Sequence, residues 1–353
     1  MSPTLETAPC ISVIISNFNG AKYLPRLLST LRRQQGVTLQ IIVVDRHSSD
    51  ESNAILAQQP DVSVVKHPPE TGLVSGYAAG TSEATEDLFF FMNEDMWLAP
   101  DCLLECVSVL TSKPNIASVM PVQWTYDGTA IVNAGIWFEY CLWNRACPTL
   151  QARSKWHLVA KPSRVSYANA GACLVRRDAY TEVGGWDTTF FLDDEDTDIA
   201  IRFWQRGWEC WVAPDATIGH AVGASNTKKL TATATPVSVK RYVSALSNFL
   251  MVALKTFSLS TIPRAFLAWT DRLLRNVAKG RWKLVGLDFK ALRLTISRMS
   301  DANRFRQTNH HWNQQRPGQG FFREPVFQWS AIRDNVSDRC NVLPEAATTV
   351  VAE

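Results

Sequence analysis

The chain has 353 residues, of which 46% are hydrophobic and 20% are charged, an ordinary globular composition that suffices for one large domain with an appendage. Its eight cysteines never form a CxxC pair, which argues against a zinc framework and fits a reducing compartment. We recognise no secretion signal at the N-terminus, and the longest nearly apolar run, residues 249–254, is far shorter than the ~20 residues of a membrane-spanning helix.

The net charge of +3 conceals two regions of opposite charge. Residues 1–227 hold 16 Lys and Arg against 25 Asp and Glu, whereas residues 228–333 hold 19 against four. A basic block of this density indicates an anionic partner, either a nucleic acid or a membrane surface. A solvated helical face explains the same charge equally well.

The first part of the chain alternates between strand and helix patterns. Short apolar runs rich in β-branched or aromatic residues predict buried strands at residues 11–16, 39–45, 62–67 and 87–92. Segments between and after them predict helices at residues 21–36, 49–59, 76–85 and 99–113. This alternation is typical of a parallel α/β sheet.

Beyond a mixed, Trp-rich segment at residues 114–170, the alternation resumes. A strand and a helix are predicted within residues 168–187, a helix at 197–207 and a last strand at 208–220. Basic amphipathic helices are then predicted at residues 239–257, 262–278 and 281–299, and the last fifty residues read as irregular. We therefore predict three parts, a main α/β domain at 1–227, a basic helical extension at 228–305 and a tail at 306–353.

Polar side chains follow three of the predicted strands. Asn17 and Asn19 follow the first, Asp45 follows the second, and Asn93-Glu94-Asp95 follows the Phe-rich fourth strand. Ligands of open parallel sheets bind beyond the carboxyl ends of the strands, so these side chains predict a ligand cleft. A dinucleotide site is not favoured, because "SNFNG" stands after the first strand where GxGxxG would be expected.

A second polar cluster is the segment "FLDDEDTD" at residues 191–198. Acidic residues favour a helix N-terminus, but five acids in six positions repel one another unless a cation or a basic group relieves them. An EF-hand is excluded, because a loop that begins at Asp194 would have Ile199 at its glycine position and Gln205 at its glutamate position.

Five segments in order resemble the family 2 inverting glycosyltransferases, and most closely the bacterial branch that includes rhamnosyltransferases of cell-surface glycan assembly. The segments are "ISVIISNFNGAKYLPRLLSTL", "IIVVDRHSSDES", "FFFMNEDMWLAPD", "GACLVRRDAYTEVGGWDTTFFLDDEDTDIAIRFWQRGW" and "VAPDATIGHAVGAS". The resemblance covers roughly residues 10–255. It implies the GT-A fold, an α/β, Rossmann-like and mixed but mostly parallel sheet flanked by helices, here with a C-terminal basic helical extension.

The resemblance also implies a role for each matching position. Asp45 would hold the nucleotide base, and Asp95, in the place of the family's DxD motif, would bind a divalent metal on the sugar nucleotide. In the place of the family's ED pair, Asp196 beside Glu195 would be the general base, and His220 would complete the metal site. The implied donor-binding set is Ser16, Asn17, Asn19, Asp45, Asn93, Glu94 and Gly171.

Two departures from the family pattern leave the donor open. Arg46 stands where the family usually has Asn after the base-binding Asp, and "TGLVSGYAAG" at residues 71–80 lacks the asparagines of the family's Gly/Asn-rich segment. The sequence therefore names neither the donor sugar nor the nucleotide base. The acceptor, the linkage and the choice between Mg²⁺ and Mn²⁺ also stay open.

The implied function is a metal-dependent inverting glycosyltransferase that moves a sugar from a nucleoside-diphosphate sugar to a glycan or a lipid-linked acceptor in cell-surface polysaccharide synthesis. The metal would be Mg²⁺ or Mn²⁺, and the basic C-terminal helices would bind the anionic inner face of the cell membrane from the cytoplasm. The alternative is a scaffold on a degenerate transferase fold, favoured by Asn93 where the family has Asp. A nucleic-acid partner is not expected, because no reader motif is present.

Overall fold

A computed structural model of the protein describes residues 8–68, 72–135, 137–138, 145–146, 151–152, 160–221, 236–256, 259 and 262–309. Within these ranges, one mixed sheet is covered on both faces by helices, and further helices follow the last strand.

The N-terminal part forms the parallel half of the sheet. Its elements are β1 (Cys10–Asn17), α1 (Leu24–Arg32), β2 (Thr38–Asp45), α2 (Ser52–Ala57), β3 (Val62–Lys66), α3 (Gly72–Glu83) and β4 (Leu88–Asn93). These strands lie side by side in the order β3-β2-β1-β4, and every pairing among them is parallel. The predicted strand–helix alternation is confirmed.

The middle of the chain adds the mixed half. Its elements are β5 (Met96–Leu98), α4 (Cys102–Thr111), β6 (Ile116–Thr125), β7 (Ala130–Asn133), β8 (Trp137–Phe138), β9 (Arg145–Ala146), β10 (Gln151–Ala152), β11 (Ser163–Val165), β12 (Ala172–Arg176), α5 (Arg177–Glu182), α6 (Glu195–Arg206) and β13 (Glu209–His220). Beyond β4 the sheet continues as β12-β6-β7-β10, and β13 pairs with β5, β6 and β11. Strands β8 and β9 pair with each other in a separate two-stranded sheet. Strand β12 runs antiparallel to β4 and thereby ends the parallel half.

Strand β6 is the main element that the sequence pattern does not reveal. Its ten residues are almost all buried, yet Pro121 lies in the middle of the run. Proline cannot donate to a sheet ladder and usually argues against a central strand. Here it is tolerated because Pro121 is paired with Ala213 where the register between β6 and β13 shifts.

Among the described residues after the last strand, four helices are present: α7 (Pro236–Thr256), α8 (Ile262–Ala278), α9 (Trp282–Ser297) and α10 (Met299–Thr308). The predicted helices 239–257, 262–278 and 281–299 match the first three. The irregular tail predicted at 306–353 is wrong at its start, because residues 306–308 belong to α10; residues 310–353 lie outside the described ranges. In the part of the chain that the structure describes, no helix is long and apolar enough to cross a membrane.

The two faces of the sheet each carry a hydrophobic core. Along β1, Val13 and Ile15 join one core with α1 and α4, whereas Ile14 joins the other. Phe89 and Phe91 of β4 alternate with Phe90 in the same way, because successive strand residues point to opposite faces. The second core also includes residues of α6, α7, α8 and α9, so the C-terminal helices pack onto the sheet domain.

A pair of glycine substitutions tests how tightly β13 is held. A Cβ at Gly219 would lie 2.1 Å from the fully buried indole of Trp97, whereas a Cβ at Gly286 in α9 would meet nothing within 4 Å. We expect Gly219→Ala to lower the free energy of unfolding by about 1–3 kcal/mol through overpacking, and Gly286→Ala to raise it by about 0.5–1 kcal/mol through helix propensity.

Urea unfolding of both variants measures the difference. Since each substitution adds one methyl group, equal effects at the two positions would contradict the packing of β13 against Trp97.

Candidate functional site

The predicted polar side chains lie at one edge of the sheet. The register pairs Asn17 with Asp45 across β1 and β2, and Ser16 with Asn93 across β1 and β4. Since these strands are parallel, their carboxyl ends meet at the same edge. The tips of β1, β2 and β4 therefore form one continuous polar surface.

Asp45 is a buried carboxylate that is already hydrogen bonded. Asn17 Nδ2 donates to its Oδ1 at 2.9 Å, Lys66 Nζ donates to its Oδ2 at 3.1 Å, and the side chain has no exposed surface. Burial raises the pKa of Asp45, but hydrogen bonds from Ser48, Asn17 and Lys66 outweigh it and hold the pKa below the ordinary value. Asp45 is thus ionised, and Asn17 and Lys66 hold its carboxylate in place at the tip of β2.

The loops after β1 and β2 are tied together through Asn19 and Ser48. The backbone N–H of Asn19 donates to Ser48 Oγ at 2.9 Å, and Asn19 Oδ1 accepts the N–H of Ser49 at 2.8 Å. Asn19 has a left-handed backbone, with φ at 55°, which asparagine tolerates better than most residues. In this structure Asn19 therefore shapes the rim of the edge.

Beside this loop, Ser16 Oγ and Arg46 Nε are buried and have no hydrogen-bond partner. Both lie against Gly76 of α3, where a Cβ would be 3.2 Å from Ser16 Oγ and 3.4 Å from Arg46 Cδ. The guanidinium of Arg46 also lies 5.4 Å from the ring centre of Phe18. This cluster gives the edge a cationic group beside the anionic Asp45.

At the tip of β4, Asn93 and Glu94 are held from several sides. Tyr77 Oη donates to Asn93 Oδ1 at 2.8 Å, and the N–H of Asn93 donates to the carbonyl of Gly171 at 3.0 Å. Burial, followed by the charge of Asp95, raises the pKa of Glu94 to about 7. A Cβ at Gly20 would lie 2.7 Å from Glu94 Cγ, so the loop after β1 packs directly on this carboxyl group.

The two predicted metal ligands lie next to each other. His220 Nε2 is 3.3 Å from Asp95 Oδ1, because β5 and β13 are paired with His220 opposite Met96. Asp95 Oδ1 and His220 Nδ1 are buried without a hydrogen-bond partner. Among the described residues, no group of three or more His, Cys, Asp and Glu could hold a metal ion.

This donor set suits a cation that shares its ligands with a diphosphate. A hard cation such as Mg²⁺ binds through one or two carboxylates together with substrate phosphates, instead of an all-protein cage. One carboxylate and one imidazole, each with an unsatisfied buried atom, fit that description. They do not fit a closed structural site of four ligands.

The acidic segment forms the other side of the edge. Glu195 and Asp196 are the first two residues of α6, and both are only 7% exposed. Asn169 Nδ2 donates to Asp196 Oδ2 at 3.3 Å, while Asn169 Oδ1 accepts the N–H of Gly171 at 3.0 Å. Because Gly171 also contacts Asn93, one short chain of contacts joins Asp196 to the tip of β4.

Basic side chains neutralise the outer acids of this segment. Arg241 forms two hydrogen bonds with Asp193, each of 2.9 Å, and Asp198 accepts from Arg202 and from Lys255 at distances of 2.6–3.0 Å. The repulsion inferred from five clustered acids is therefore relieved in part within the chain. The acidic run alone does not define a cation site.

Glu195 carries the remaining electrostatic conflict. Burial, followed by the charges of Asp196, Asp193 and Asp194, raises the pKa of Glu195 well above its ordinary value, and its Oε2 has no hydrogen-bond partner. Within the pair, Glu195 thus keeps its proton while Asp196 accepts from Asn169 and from the N–H of Thr197.

Sequence reasoning missed Asn169, Tyr77 and Gln123. Gln123 Nε2 donates to Asn169 Oδ1 at 3.3 Å and so supports the amide that contacts Asp196. Asn169 precedes β12, and only the antiparallel pairing of β12 with β4 brings it to the edge where β4 ends. The only local sign of this role is that Asn169 is a polar residue directly before a predicted strand.

Two comparisons of sequence bear on this site. The family model for glycosyl transferase family 2 matches residues 12–182. N-acetylgalactosaminyltransferase 6 of Drosophila melanogaster is 27% identical over 232 residues, which cover 60% of this chain but only 34% of the fly protein. N-acetylglucosaminyl-diphospho-decaprenol L-rhamnosyltransferase of Mycobacterium tuberculosis is 21% identical over 245 residues, which cover 60% of this chain and 75% of that protein.

Two solved structures resemble the fold. GalNAc-T7 with UDP, GalNAc and Mn²⁺ superposes with a TM-score of 0.55 at 17% identity, over 71% of this chain and 48% of that chain. The mannosyltransferase PcManGT of Pyrobaculum calidifontis, in complex with GDP-Man and Mn²⁺, gives a TM-score of 0.50 at 16% identity, over 98% and 90% of the two chains. At such identities the likeness establishes the fold alone.

The raised pKa of Glu195 predicts a pH-dependent stability. An acid whose pKa is raised on folding stabilises the fold fully below its unfolded pKa, and this stability is lost as the pH rises through the folded pKa. We expect Glu195→Gln to raise the free energy of unfolding at neutral pH by roughly 1 kcal/mol. The gain should vanish at acidic pH, where the native carboxyl is protonated in both states.

Thermal unfolding over a pH series measures this, with Glu83→Gln at the exposed end of α3 as the control. A gain for Glu195→Gln that is the same at every pH, or a loss at neutral pH, would contradict the burial of a carboxylic acid at this position.

Proposed function

The chain carries a glycosyl transferase family 2 domain on a GT-A fold, and from this premise we propose that it is a metal-dependent, inverting glycosyltransferase. It would transfer a hexosyl-type sugar from a nucleoside-diphosphate sugar to a hydroxyl group of a glycan or a lipid-linked acceptor. The observation that carries the proposal is the meeting of two polar groups at one sheet edge. Asp95 with His220 lies on one side, and Glu195 with Asp196 lies on the other, joined through Asn169 and Gly171.

The leaving group would bind on the side of Asp95 and His220. When bound there, a divalent cation such as Mn²⁺ or Mg²⁺ offsets the charge that develops on the departing nucleoside diphosphate. The unsatisfied Asp95 Oδ1 and His220 Nδ1 support this assignment. The presence of Mn²⁺ with UDP or GDP-Man in the two similar structures supports it further.

The acceptor hydroxyl would be deprotonated on the opposite side. Asp196 is the proposed base, because Asn169 holds its Oδ2 in place and the N–H of Thr197 holds its Oδ1. Such a base contributes ~10²–10⁴ in rate. A single displacement needs no covalent nucleophile, and it inverts the anomeric carbon. Glu195, held neutral, would contribute a hydrogen-bond donor beside the base.

The donor would lie along the tips of β1 and β2. Ser16, Asn17, Asn19, Asp45, Asn93, Glu94 and Gly171 form the proposed donor-binding set. Of these, Ser16 offers an unpartnered hydroxyl, and Gly171 is packed so closely that a Cβ there would lie 2.8 Å from Asn169 Oδ1. Arg46 adds a guanidinium to this surface, beside the carboxylate of Asp45. The donor sugar stays open.

Two aspartate substitutions separate donor binding from chemistry. We expect Asp95→Asn to abolish the Mn²⁺-dependent thermal shift by UDP-, dTDP- or GDP-sugars, because a ligand stabilises only the state that binds it. Asp196→Asn should keep that shift and lower the rate of transfer or donor hydrolysis by ~10²–10⁴. The thermal shift and a nucleoside-diphosphate release assay measure the two effects.

Asp215→Asn, at an exposed position of β13, is the matched control and should leave both readouts unchanged. If the wild-type chain binds no sugar nucleotide and releases no diphosphate with any donor, the enzyme is excluded and the scaffold alternative remains.

Binding to a membrane surface would involve the C-terminal helices α8 and α9. Large apolar side chains stand exposed at seven-residue intervals, Leu267 and Leu274 on α8, and Trp282, Phe289 and Ile296 on α9. A spacing of seven residues keeps side chains on one face of a helix. Trp282 and Leu267 are each 68% exposed, so the two rows of side chains are not covered within the described part of the chain. We call these two rows together the α8–α9 face.

The charge around the α8–α9 face fits an anionic lipid surface. Between residues 262 and 297 the sequence has eight basic residues and two acids, Asp271 and Asp288. Asp288 is fully buried, where it accepts from Tyr242 and Asn276. An exposed apolar stripe with a basic surround is the pattern of a helix that lies in a membrane interface. We therefore assign this face to the cytoplasmic side of the cell membrane, where surface polysaccharides would be assembled on lipid-linked acceptors.

Vesicle sedimentation tests this assignment. We expect the protein to bind phosphatidylglycerol vesicles at low salt and to ignore phosphatidylcholine vesicles. Replacing Lys283, Lys290 and Arg293 with Gln should weaken binding about a hundredfold, since each basic residue contributes ~1 kcal/mol near the surface. Replacing Trp282 and Phe289 with Ser should weaken it further by removing the apolar contact.

The control replaces three basic residues of the sheet domain, Lys22, Arg33 and Lys161, with Gln, and it should bind as the wild type does. If the wild type ignores anionic vesicles, the assignment is wrong. If it instead self-associates through Trp282 in size-exclusion chromatography, the face belongs to a second copy of the chain.

A further inference from the structure

We propose that helix α7, which lies outside the part of the chain matched by the family model, is a positioning element of the active site. Three of its side chains, Arg241, Asn248 and Lys255, hold the acidic segment 187–198 in one conformation and offset part of its negative charge. The inference rests on the proposed function, because it concerns the same acidic pair.

The three side chains form one line along α7. They are spaced seven residues apart, and residues at this interval lie on the same side of an α-helix. All three reach the segment that leads into α6: Arg241 bonds Asp193, Asn248 bonds two carbonyl groups, and Lys255 bonds Asp187 and Asp198. The three polar side chains of α7 therefore all bind the same segment, residues 187–198.

Asn248 fixes the backbone immediately before the acidic pair. Its Nδ2 donates to the carbonyl of Leu192 at 3.1 Å and to the carbonyl of Asp193 at 2.8 Å. Its Oδ1 accepts from Arg298 Nη1 at 2.9 Å, and Arg298 also donates to Thr189 Oγ1. The orientation of the Asn248 amide is thus set by Arg298, which lies between α9 and α10, and both ends of the amide are used.

The backbone held in this way is strained. Asp193 and Asp194 have φ values of 68° and 65°, and two consecutive left-handed residues other than glycine cost free energy. Such a conformation persists only where surrounding contacts over-determine it. The bidentate pair of Arg241 with Asp193 and the two bonds from Asn248 are these contacts.

Lys255 links the two ends of the segment, Asp187 and Asp198. Its Nζ lies 2.6 Å from Asp187 Oδ2 and 2.6 Å from Asp198 Oδ1, and only 2% of its side chain is exposed. Arg202 of α6 holds the other oxygen of Asp198 at 2.7 Å. The two buried cations and the two aspartates balance in charge, so the first turn of α6 is fixed against α7.

Arg241 also affects the charge state of the acidic pair. The groups that face Glu195 are Asp193, Asp194 and Asp196 from its own segment, Arg241 from α7, Tyr77 from α3 and Cys173 from β12. Arg241 is the cation among them, and its bond to Asp193 cancels one of the negative charges that raise the pKa of Glu195. Without Arg241, Glu195 would hold its proton more tightly.

The central test compares Arg241→Gln with Arg241→Lys, and with Arg304→Gln as the matched control. Arg304 is also an arginine of the C-terminal helices paired with an aspartate, but it lies on the surface of α10, 3.9 Å from Asp301. The turnover rate is measured against pH for each variant, together with the donor-induced thermal shift and amide hydrogen exchange of residues 190–200.

In Arg241→Gln we expect the turnover rate to fall roughly ten- to hundredfold through misplacement of the base, while the donor shift is kept. The acidic limb of the pH–rate profile should move up by about one pH unit, because the base must lose its proton and its negative surroundings are less compensated. The amide of Asp198, bonded to the carbonyl of Asp194, should exchange faster. Arg241→Lys should keep the limb in place, and Arg304→Gln should match the wild type throughout.

Adding Asp193→Asn to Arg241→Gln separates charge from shape. We expect the acidic limb to return to its wild-type position, since the uncompensated charge is gone, while the rate stays low. A limb that does not move in folded Arg241→Gln, or exchange at residues 190–200 that equals the wild type, overturns the inference. If Arg241→Gln does not fold, Asn248→Ala carries the same exchange and rate comparison.

The two proposals fail in different ways. A wild-type chain without turnover on any sugar nucleotide refutes the proposed function, and hydrogen exchange then still decides whether α7 holds the segment. Normal wild-type turnover with unchanged profiles in both α7 variants refutes the positioning role alone.

Discussion

The structure depends on one electrostatic constraint, the burial of a cluster of carboxyl groups at the edge of a parallel sheet. Asp194, Glu195 and Asp196 are each 7% exposed and Asp198 is fully buried. Moving an ionised carboxylate out of water costs several kcal/mol unless a partner compensates for it. The negative charge of the cluster is reduced in two ways. Ion pairs form between the outer aspartates and Arg241, Arg202 and Lys255, and Glu195 keeps its proton. In the middle of the cluster, Asp196 is held by hydrogen bonds from Asn169 and from the N–H of Thr197.

This constraint explains why the C-terminal helices pack on the sheet domain. Two of the cations that neutralise the segment are on α7, and Arg298, between α9 and α10, fixes the Asn248 amide between them. The predicted boundary at residue 227 separates two sequence patterns, acidic and basic, but the contacts of the acidic segment cross it. Part of the positive charge of the C-terminal region therefore serves the interior of the protein, and the exposed part surrounds the α8–α9 face.

The sheet topology supplies the second half of the site. In a fully parallel sheet, residues that precede a strand lie at the opposite edge from those that follow one. Because β12 runs antiparallel to β4, Asn169 reaches the edge where β4 ends and contacts Asp196. The pairing of β13 with β5 likewise brings His220 beside Asp95. Two antiparallel pairings, of β12 with β4 and of β13 with β5, thus join residues from distant parts of the chain at one edge of the sheet.

The sequence by itself determined the parallel half of the fold and the positions of its polar tips, because buried strands, helices and strand ends leave local patterns of hydrophobicity. It did not reveal β6, since Pro121 disguises a buried strand, nor Asn169, since nothing local shows which way β12 runs. It also left open which acids of the segment 193–198 are neutralised. That was decided by tertiary structure, because the partners Arg241 and Lys255 lie 48 and 57 residues away from Asp193 and Asp198, and a charge has no periodic signature that identifies its partner at such a separation.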